Sequence, residues 1–268
     1  MSPAGATDIL VARDVSKTFF DAVAKDDVVA LSGISLSVRA HEFVSVIGPS
    51  GCGKSTFLRI VAGLDKPTGG EILVSGKKVV GPGSDRAMVF QEYALLPWKT
   101  THANIEFGPR LKGLPKSERA ALAKRFIDLV GLTGFEQKYP HQLSGGMRQR
   151  AAVARVLANN PAVLLMDEPF AAVDAMTRQR LQEELAVITA SERTTVLFVT
   201  HAIEEAVFLS DRVVALSGRP GHIVADLAID LPRPRSWEAL LHDERFAHYR
   251  DTLTHCIHGT GAPVKEHA

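Results

Sequence analysis

Residues 43–56 read FVSVIGPSGCGKST. A short apolar run, Phe43 to Ile47, leads into a glycine-rich loop, and KSTFLRIVAGL follows over 54–64. An apolar run without alternation predicts a strand buried on both faces, as in a parallel sheet. The loop fits G-x-x-x-x-G-K-[ST] between a strand and a helix, the context that gives this motif its meaning. Glycines let backbone N–H groups converge on an anion, and a helix N-terminus adds partial positive charge. Gly48, Pro49, Ser50, Gly51, Cys52, Gly53, Lys54, Ser55 and Thr56 are therefore candidate nucleotide-binding residues. Lys54 is expected at the β- and γ-phosphates, the Ser55 hydroxyl on Mg²⁺, and Thr56 toward the α-phosphate. Cys52 reads as a small residue within the loop. The motif predicts a nucleoside di- or triphosphate ligand and leaves kinase, GTPase, motor and transporter open.

Three further runs share the pattern. AMVF at 87–90 ends at Gln91, AVLLM at 162–166 ends at Asp167 and Glu168, and TVLFVT at 195–200 ends at His201. Each delivers a polar residue at its C-terminal end, the edge where open α/β sheets bind ligands. Asp167 and Glu168 are consecutive, so on a strand they face opposite ways and take different tasks. Asp167 suits the Mg²⁺ shell. Glu168, where the strand breaks into Pro169, can turn toward the γ-phosphate and accept a proton from attacking water. The Gln91 amide can bond both a Mg²⁺-bound water and the attacking water, so it is a candidate for both the metal shell and catalysis. A neutral His201 imidazole can donate to the γ-phosphate.

The remaining chain fits an α/β core. MTRQRLQEELAVITA at 176–190 puts Leu181, Leu185 and Ile188 on one helical face. KSERAALAKRFIDLVGL at 116–132 predicts another amphipathic helix, closed by Gly131 or Gly134. The N-terminal ILVARDVSKTFF and VVALSGISLSVRA are β-rich, and GGEILVSGKKVVG at 69–81 reads as a hairpin. The predicted fold is a mostly parallel sheet, an antiparallel β layer beside it, and a helical subdomain inserted over about 92–160. Residues 1–230 form the expected main domain. After it, LPRPRSW reads as an extended linker, and WEALLHDERFAHYRDTL as one helix carrying Leu240, Leu241 and Phe246. The 268 residues carry a net charge of +1, which argues against a dedicated nucleic-acid binder. Two cysteines do not make a disulfide scaffold. The start, MSPAGATDIL, lacks the pattern of a secretory signal. No run of about 18 apolar residues is present, so work at a membrane would require docking on another protein.

A second glycine-rich stretch, LSGGMRQR, lies at 143–150. Ser144 reads as the N-cap of a helix through MRQRAAVARVLANN, whose free N-terminal amides face an anion. On its own, Leu-Ser-Gly-Gly would be an ordinary capped helix. The ordered set GPSGCGKST, Gln91, LSGGMRQR, VLLMDEP, AAVD at 171–174 and VTH resembles the ATP-binding subunit of ATP-binding-cassette (ABC) transporters, a P-loop NTPase family, over about residues 9–230. The resemblance implies a homodimer in which two subunits sandwich two ATP molecules head to tail. Ser144, Gly145 and Gly146 would then touch the partner's γ-phosphate, and Asp174 would belong to the dimer-contact loop. It also implies an aromatic stacked on adenine, which VSKTF supplies as Phe19 where the family more often has Tyr. Met147 stands where the signature commonly has Gln, and Ala171 where Ser or Gly is frequent. Neither change removes a catalytic group.

EYALLPWKTTHANIEFGPRLKG and the later GRPGHIVADLAIDLPRPR look like the nitrate, sulfonate and taurine importer branch. That likeness implies an ATPase driving import of a small anion, peripheral on the cytoplasmic face of the inner membrane, with a separate substrate-binding protein. Transmembrane permease subunits would dock near Leu95, Leu96, Pro97 and Trp98, an apolar cluster in a loop-like context. A non-transport ABC ATPase, the alternative, would need coiled-coil insertions, zinc modules or paired cassettes, none of which is seen. An importer subunit for a different small molecule stays open.

Overall fold

A computed structural model describes residues 8–21, 25–91, 94–171, 173–258 and 264–266. Residues 1–7, Glu92 and Tyr93 of the importer-like stretch, and Ala172 of AAVD lie outside the described residues.

Two sheets build the molecule. The first is antiparallel, with order β2-β1-β4-β5, from β1 (Asp8–Asp21), β2 (Asp26–Arg39), β4 (Gly69–Val74) and β5 (Lys77–Lys78). Ser75 and Gly76 join β4 to β5 with φ of 49° and 74°. Positive φ at both turn residues suits the twist of a two-residue hairpin. The second sheet has the order β11-β10-β9-β3-β8-β7-β6. Its strands are β3 (Phe43–Ile47), β6 (Arg86–Val89), β7 (Val163–Asp167), β8 (Val196–Val199), β9 (Arg212–Leu216), β10 (Ile223–Ala228) and β11 (Val264–Glu266). From β9 across to β6 all pairs are parallel, whereas β10 runs antiparallel to β9. All four predicted strands are present within one residue of their expected ends. The apolar runs that became β9 and β10 carry no motif residue, and the sequence reading did not single them out.

Consecutive residues of the central strands enter different cores. Leu164 and Met166 of β7 join one apolar cluster, while Val163 and Leu165 join the other. Val196 and Phe198 of β8 split from Leu197 and Val199 in the same way. The period-2 geometry of a strand covered on both faces requires this. One core lies against the antiparallel sheet and α1 (Lys54–Ala62). The other takes α2 (Thr101–Ile105), α4 (Lys116–Leu129) and α5 (Gly145–Leu157) from between β6 and β7, with α3 (Phe107–Leu111) lying against these three helices rather than in the core. It also takes α6 (Ala175–Ser191) and α7 (Ile203–Leu209). Leu181, Leu185 and Ile188 of α6 are buried in it, as predicted. The chain leaves α4 through Gly131 in the left-handed region, which settles the choice between Gly131 and Gly134.

The C-terminal stretch differs from its sequence reading. The helix expected over 237–253 is two helices, α8 (Trp237–Leu240) and α9 (Glu244–His258). Asp243 accepts from the Arg245 N–H at the start of α9, so the chain restarts there. Leu241 lies in the break and is 65% exposed, whereas Leu240 and Phe246 are buried. The LPRPR stretch is not a solvated spacer. Its Leu231 and Arg235 are buried. The Arg235 Nη1 donates to the carbonyls of Val207, Phe208 and Ser210 at the C-terminal end of α7. Trp237 stacks on Phe208 with centroids 4.4 Å apart. Unpaired carbonyls at a helix end carry partial negative charge, and the buried guanidinium satisfies them. Burial pushes the Arg235 pKa down to about 10.

Candidate active site

The parallel order of β3, β8, β7 and β6 brings their C-terminal ends to one edge. Val46 pairs with Val199, which pairs with Asp167. The next residues on each strand are therefore neighbours, and they are the glycine-rich loop, the 200–202 loop and Glu168.

Lys54 begins α1 and is buried. Its Nζ donates to the carbonyls of Gly48 at 2.8 Å and Pro49 at 3.0 Å, so the loop wraps its own lysine. Gly53, the N-cap, has φ of 101°, and a Cβ there would meet Leu31 Cδ2 at 2.6 Å. Only glycine fits. No side chain caps α1 and no acid lies in its first turn, so its first N–H groups keep no side-chain acceptor. That arrangement fits a phosphate group.

Ser55 Oγ donates to Asp167 Oδ1 at 2.9 Å across the edge. Hydroxyl and carboxylate are hard oxygen donors, and Mg²⁺ typically takes one or two such groups beside substrate phosphates. Burial raises the Asp167 pKa, opposed by the Ser55 bond and reinforced by the adjacent Glu168. Lys54 and Arg59 offset only part of that cost, and the Ser55–Asp167 pair would hold Mg²⁺. Among the described residues no group of three His, Cys, Asp or Glu forms an all-protein metal cage. Gln91, the third expected metal residue, is exposed, and its side chain makes no hydrogen bond among the described residues.

Glu168 leaves β7 with φ of 44°, a left-handed conformation uncommon for a residue with a side chain. The kink, rather than strand alternation, separates its direction from that of Asp167. Its Oε2 lies 2.9 Å from His201 Nδ1. Facing an ionised carboxylate, Nδ1 must carry a proton, which leaves Nε2 bare in a neutral ring. The neutral imidazole expected from sequence therefore cannot donate through Nε2 while this contact is made.

Ser144 caps α5, accepting from the Met147 N–H at 3.3 Å. Gly145 and Gly146 are the first helical residues rather than a loop before it. Asp174 caps α6 by accepting from the Thr177 N–H at 3.0 Å, and that bond holds its carboxyl below the usual range. Both caps are exposed. Neither makes a hydrogen bond to the glycine-rich loop. Phe19 is 42% exposed on β1, with Lys17 Nζ 4.8 Å from its ring centroid.

Trp98 is 70% exposed and Leu95 packs partly on the core. Sequence reading missed what shapes this loop. The buried Asn104 accepts from the Leu96 N–H at 2.8 Å and donates to the carbonyls of Leu96, Lys99 and Thr100. The loop borders a cavity of about 520 Å³ lined by Phe90, Ala94, Phe107 and Leu111 among others.

The ABC transporter family model matches residues 31–171, from β2 through the loop after β7. The chain belongs to the ABC transporter family. An ABC transporter ATP-binding protein of Methanocaldococcus jannaschii is 56% identical over 228 residues, 85% of this chain and 84% of that protein. The nitrate import ATP-binding protein NrtD of Synechocystis sp. is 46% identical over 241 residues, 88% of this chain and 90% of that one. Among solved structures, a dimeric ATP-binding cassette in a post-hydrolysis state with ADP and Pi superposes with a TM-score of 0.71 at 32% identity. It covers 83% of this chain and 100% of that one. This ABC chain is thus an ATP-binding subunit of a transport ATPase. Among its described residues no helix is long and apolar enough to cross a membrane.

Proposed function

We propose that two copies of this ABC subunit close head to tail on ATP and Mg²⁺ and drive import of a small anion. The observation that carries the hydrolytic part is the pair of contacts at one sheet edge, Ser55 with Asp167 and Glu168 with His201. Lys54 and the open N-terminus of α1 hold the phosphates, with Gly48, Pro49, Ser50, Gly51, Cys52, Gly53 and Thr56 completing the loop. Phe19 supplies a face for adenine. Ser55, Asp167 and Gln91 would hold Mg²⁺, which when bound neutralises developing phosphate charge. Glu168 takes the proton of the attacking water. The Nδ1–H of His201 donates to the Glu168 carboxylate and holds it in place for this proton transfer.

Ser144, Gly145 and Gly146 of the partner complete each site, with Asp174 at the contact between copies. The exposure of both caps on the monomer supports this reading, as does the dimeric state of the solved cassette. Permease subunits dock on Leu95, Leu96, Pro97 and Trp98. The chain itself lies on the cytoplasmic face of the cell membrane, and a separate binding protein delivers the anion. Nitrate, a sulfonate or taurine fits the branch resemblance, and the nitrate-import relative supports the anion class.

The test is reconstitution of the chain with its permease and binding protein in lipid vesicles. ATP hydrolysis should rise when a small anion is supplied and fall by roughly 10²–10⁴-fold in Glu168→Gln with ATP binding kept. Stimulation by sugars or cations only would refute the anion assignment. Unchanged turnover in Glu168→Gln would remove Glu168 as the base.

A further inference from the structure

Glu205 lies in the first turn of α7, four residues beyond His201, and is buried. The hydrolytic site just described does not use it. Its Oε1 accepts from Gln182 Nε2 on α6 at 2.6 Å, and its Oε2 accepts from the Thr200 hydroxyl. Thr200 Oγ1 in turn accepts from the Ala202 N–H at 3.0 Å. With Glu205 ionised, these directions are fixed. A backbone N–H and the amide NH₂ of Gln only donate, and a carboxylate only accepts. The Thr200 proton must therefore point at Glu205, and the bonds polarise one another in one sense. The residue enclosed between Thr200 and Ala202 is His201.

An acid in the first turn of a helix often serves only the helix dipole. Glu205 does more than that: neither oxygen accepts from an N–H of α7, and both are bonded elsewhere. Burying a carboxylate is costly unless it is well bonded. Here the bonds lead away from α7, to the histidine loop and to α6.

A second link starts on α6. Arg178 lies one turn before Gln182, on the same face of α6. Its Nη2 donates to the carbonyl of Val173 at 2.8 Å, one residue before the Asp174 cap. One buried carboxylate thus joins the backbone around His201 to the helix capped by Asp174, whose Arg178 also holds the Val173 carbonyl.

We propose that Glu205 is a positioning residue that transmits the placement of Val173 and Asp174 to His201, through Thr200 on one side and through Gln182 and Arg178 on the other. This rests on the assignment of His201 to hydrolysis made above. When the partner subunit seats against Val173 and Asp174, α6 and the 200–202 backbone move as one bonded unit, and His201 meets Glu168 in the working geometry. Without that seating His201 is misdirected.

The experiment uses the full chain with MgATP and four variants. In Glu205→Gln and in Thr200→Val, single-turnover hydrolysis should fall roughly tenfold while ATP affinity stays within about twofold. Thr200→Ser, which restores the hydroxyl, should behave as the parent does. In a His201→Ala background, Glu205→Gln should cost less than about twofold more, because both changes remove one unit. A second readout needs no nucleotide. Hydrogen exchange across 200–206 should quicken roughly tenfold in Thr200→Val and Glu205→Gln, and stay at the parent rate in Thr200→Ser. Multiplying losses in the His201→Ala background would overturn the proposal, as would Thr200→Ser behaving like Thr200→Val. Parent-like turnover and exchange in both lossy variants would also overturn it. Should Glu205→Gln fail to fold, the Thr200 pair decides alone. Full turnover in His201→Ala by itself would instead bring down the assignment of His201, and the proposal with it.

Discussion

Asp167→Asn should move stability and activity in opposite directions. In the nucleotide-free chain Asp167 is a partly buried acid beside another acid, Glu168, and burial raises its pKa. The native state therefore holds the Asp167 proton more tightly than the unfolded chain does. Its favourable contribution is complete below the unfolded pKa and is lost as pH rises through the folded one. At neutral pH the ionised carboxylate is a net cost. Asparagine removes the charge and keeps an oxygen to accept from Ser55, whose present bond is 2.9 Å. Relief of an active-site charge of this kind is worth about 1 kcal/mol, which in a chain this size raises Tm by roughly 2–4 °C. The same change removes the carboxylate proposed to hold Mg²⁺. Losing about 3 kcal/mol of transition-state stabilisation lowers turnover by roughly 10²-fold. Differential scanning calorimetry at several pH values and a phosphate-release assay measure the two effects. The Tm gain should be full near neutrality and shrink as pH falls toward the ordinary carboxylate range. A lower Tm in Asp167→Asn at neutral pH would refute the reasoning from burial, and parent-like hydrolysis would refute the metal assignment.

Three further outcomes are expected. Ser144→Arg should abolish hydrolysis while ATP binding by the isolated chain, followed by fluorescence titration, stays within about twofold, as the proposed assignment of the cap to the opposite site requires; lost binding would mean the loop serves its own chain. Trp98→Ala should leave stability within about 0.5 kcal/mol, as its exposure implies, yet weaken co-purification with the permease; intact co-purification and transport would rule out that contact. Arg235→Ala should lower stability by about 2–4 kcal/mol, since the carbonyls of Val207, Phe208 and Ser210 lose a charged donor. Urea titration would show it, with ATP affinity unchanged if the tail only supports α7.

The chemistry at the sheet edge is legible in the sequence because it is local. Asp167, Glu168 and His201 each follow a short apolar run, Lys54 and Ser55 follow one through the glycine-rich loop, and the rule that ligands sit at strand C-termini brings them together without a contact map. The strand-turn-helix around Gly53 is equally local, since a missing Cβ is a property of one residue. Where the reading fell short, the missing information was distant. The break between α8 and α9 depends on which of Leu240 and Leu241 meets the core, and both suit a helix. Glu168 reaches His201 through a left-handed kink that alternation along a strand does not anticipate. That contact also sets which imidazole nitrogen holds the proton, a detail no spacing conveys.

By itself, then, the sequence determined the family and the parallel core, and it named the residues that meet at one sheet edge. Each of these is written in motifs a few residues long and in the period of apolar runs. Only the tertiary structure decided that Arg235 satisfies the end of α7, that Asn104 shapes the loop bearing Trp98, and that Glu205 joins Thr200 to Gln182. These are single polar side chains whose partners are set by how separate elements pack. A buried arginine, asparagine or glutamate is indistinguishable in sequence from an exposed one until the backbone groups that pair with it are brought alongside.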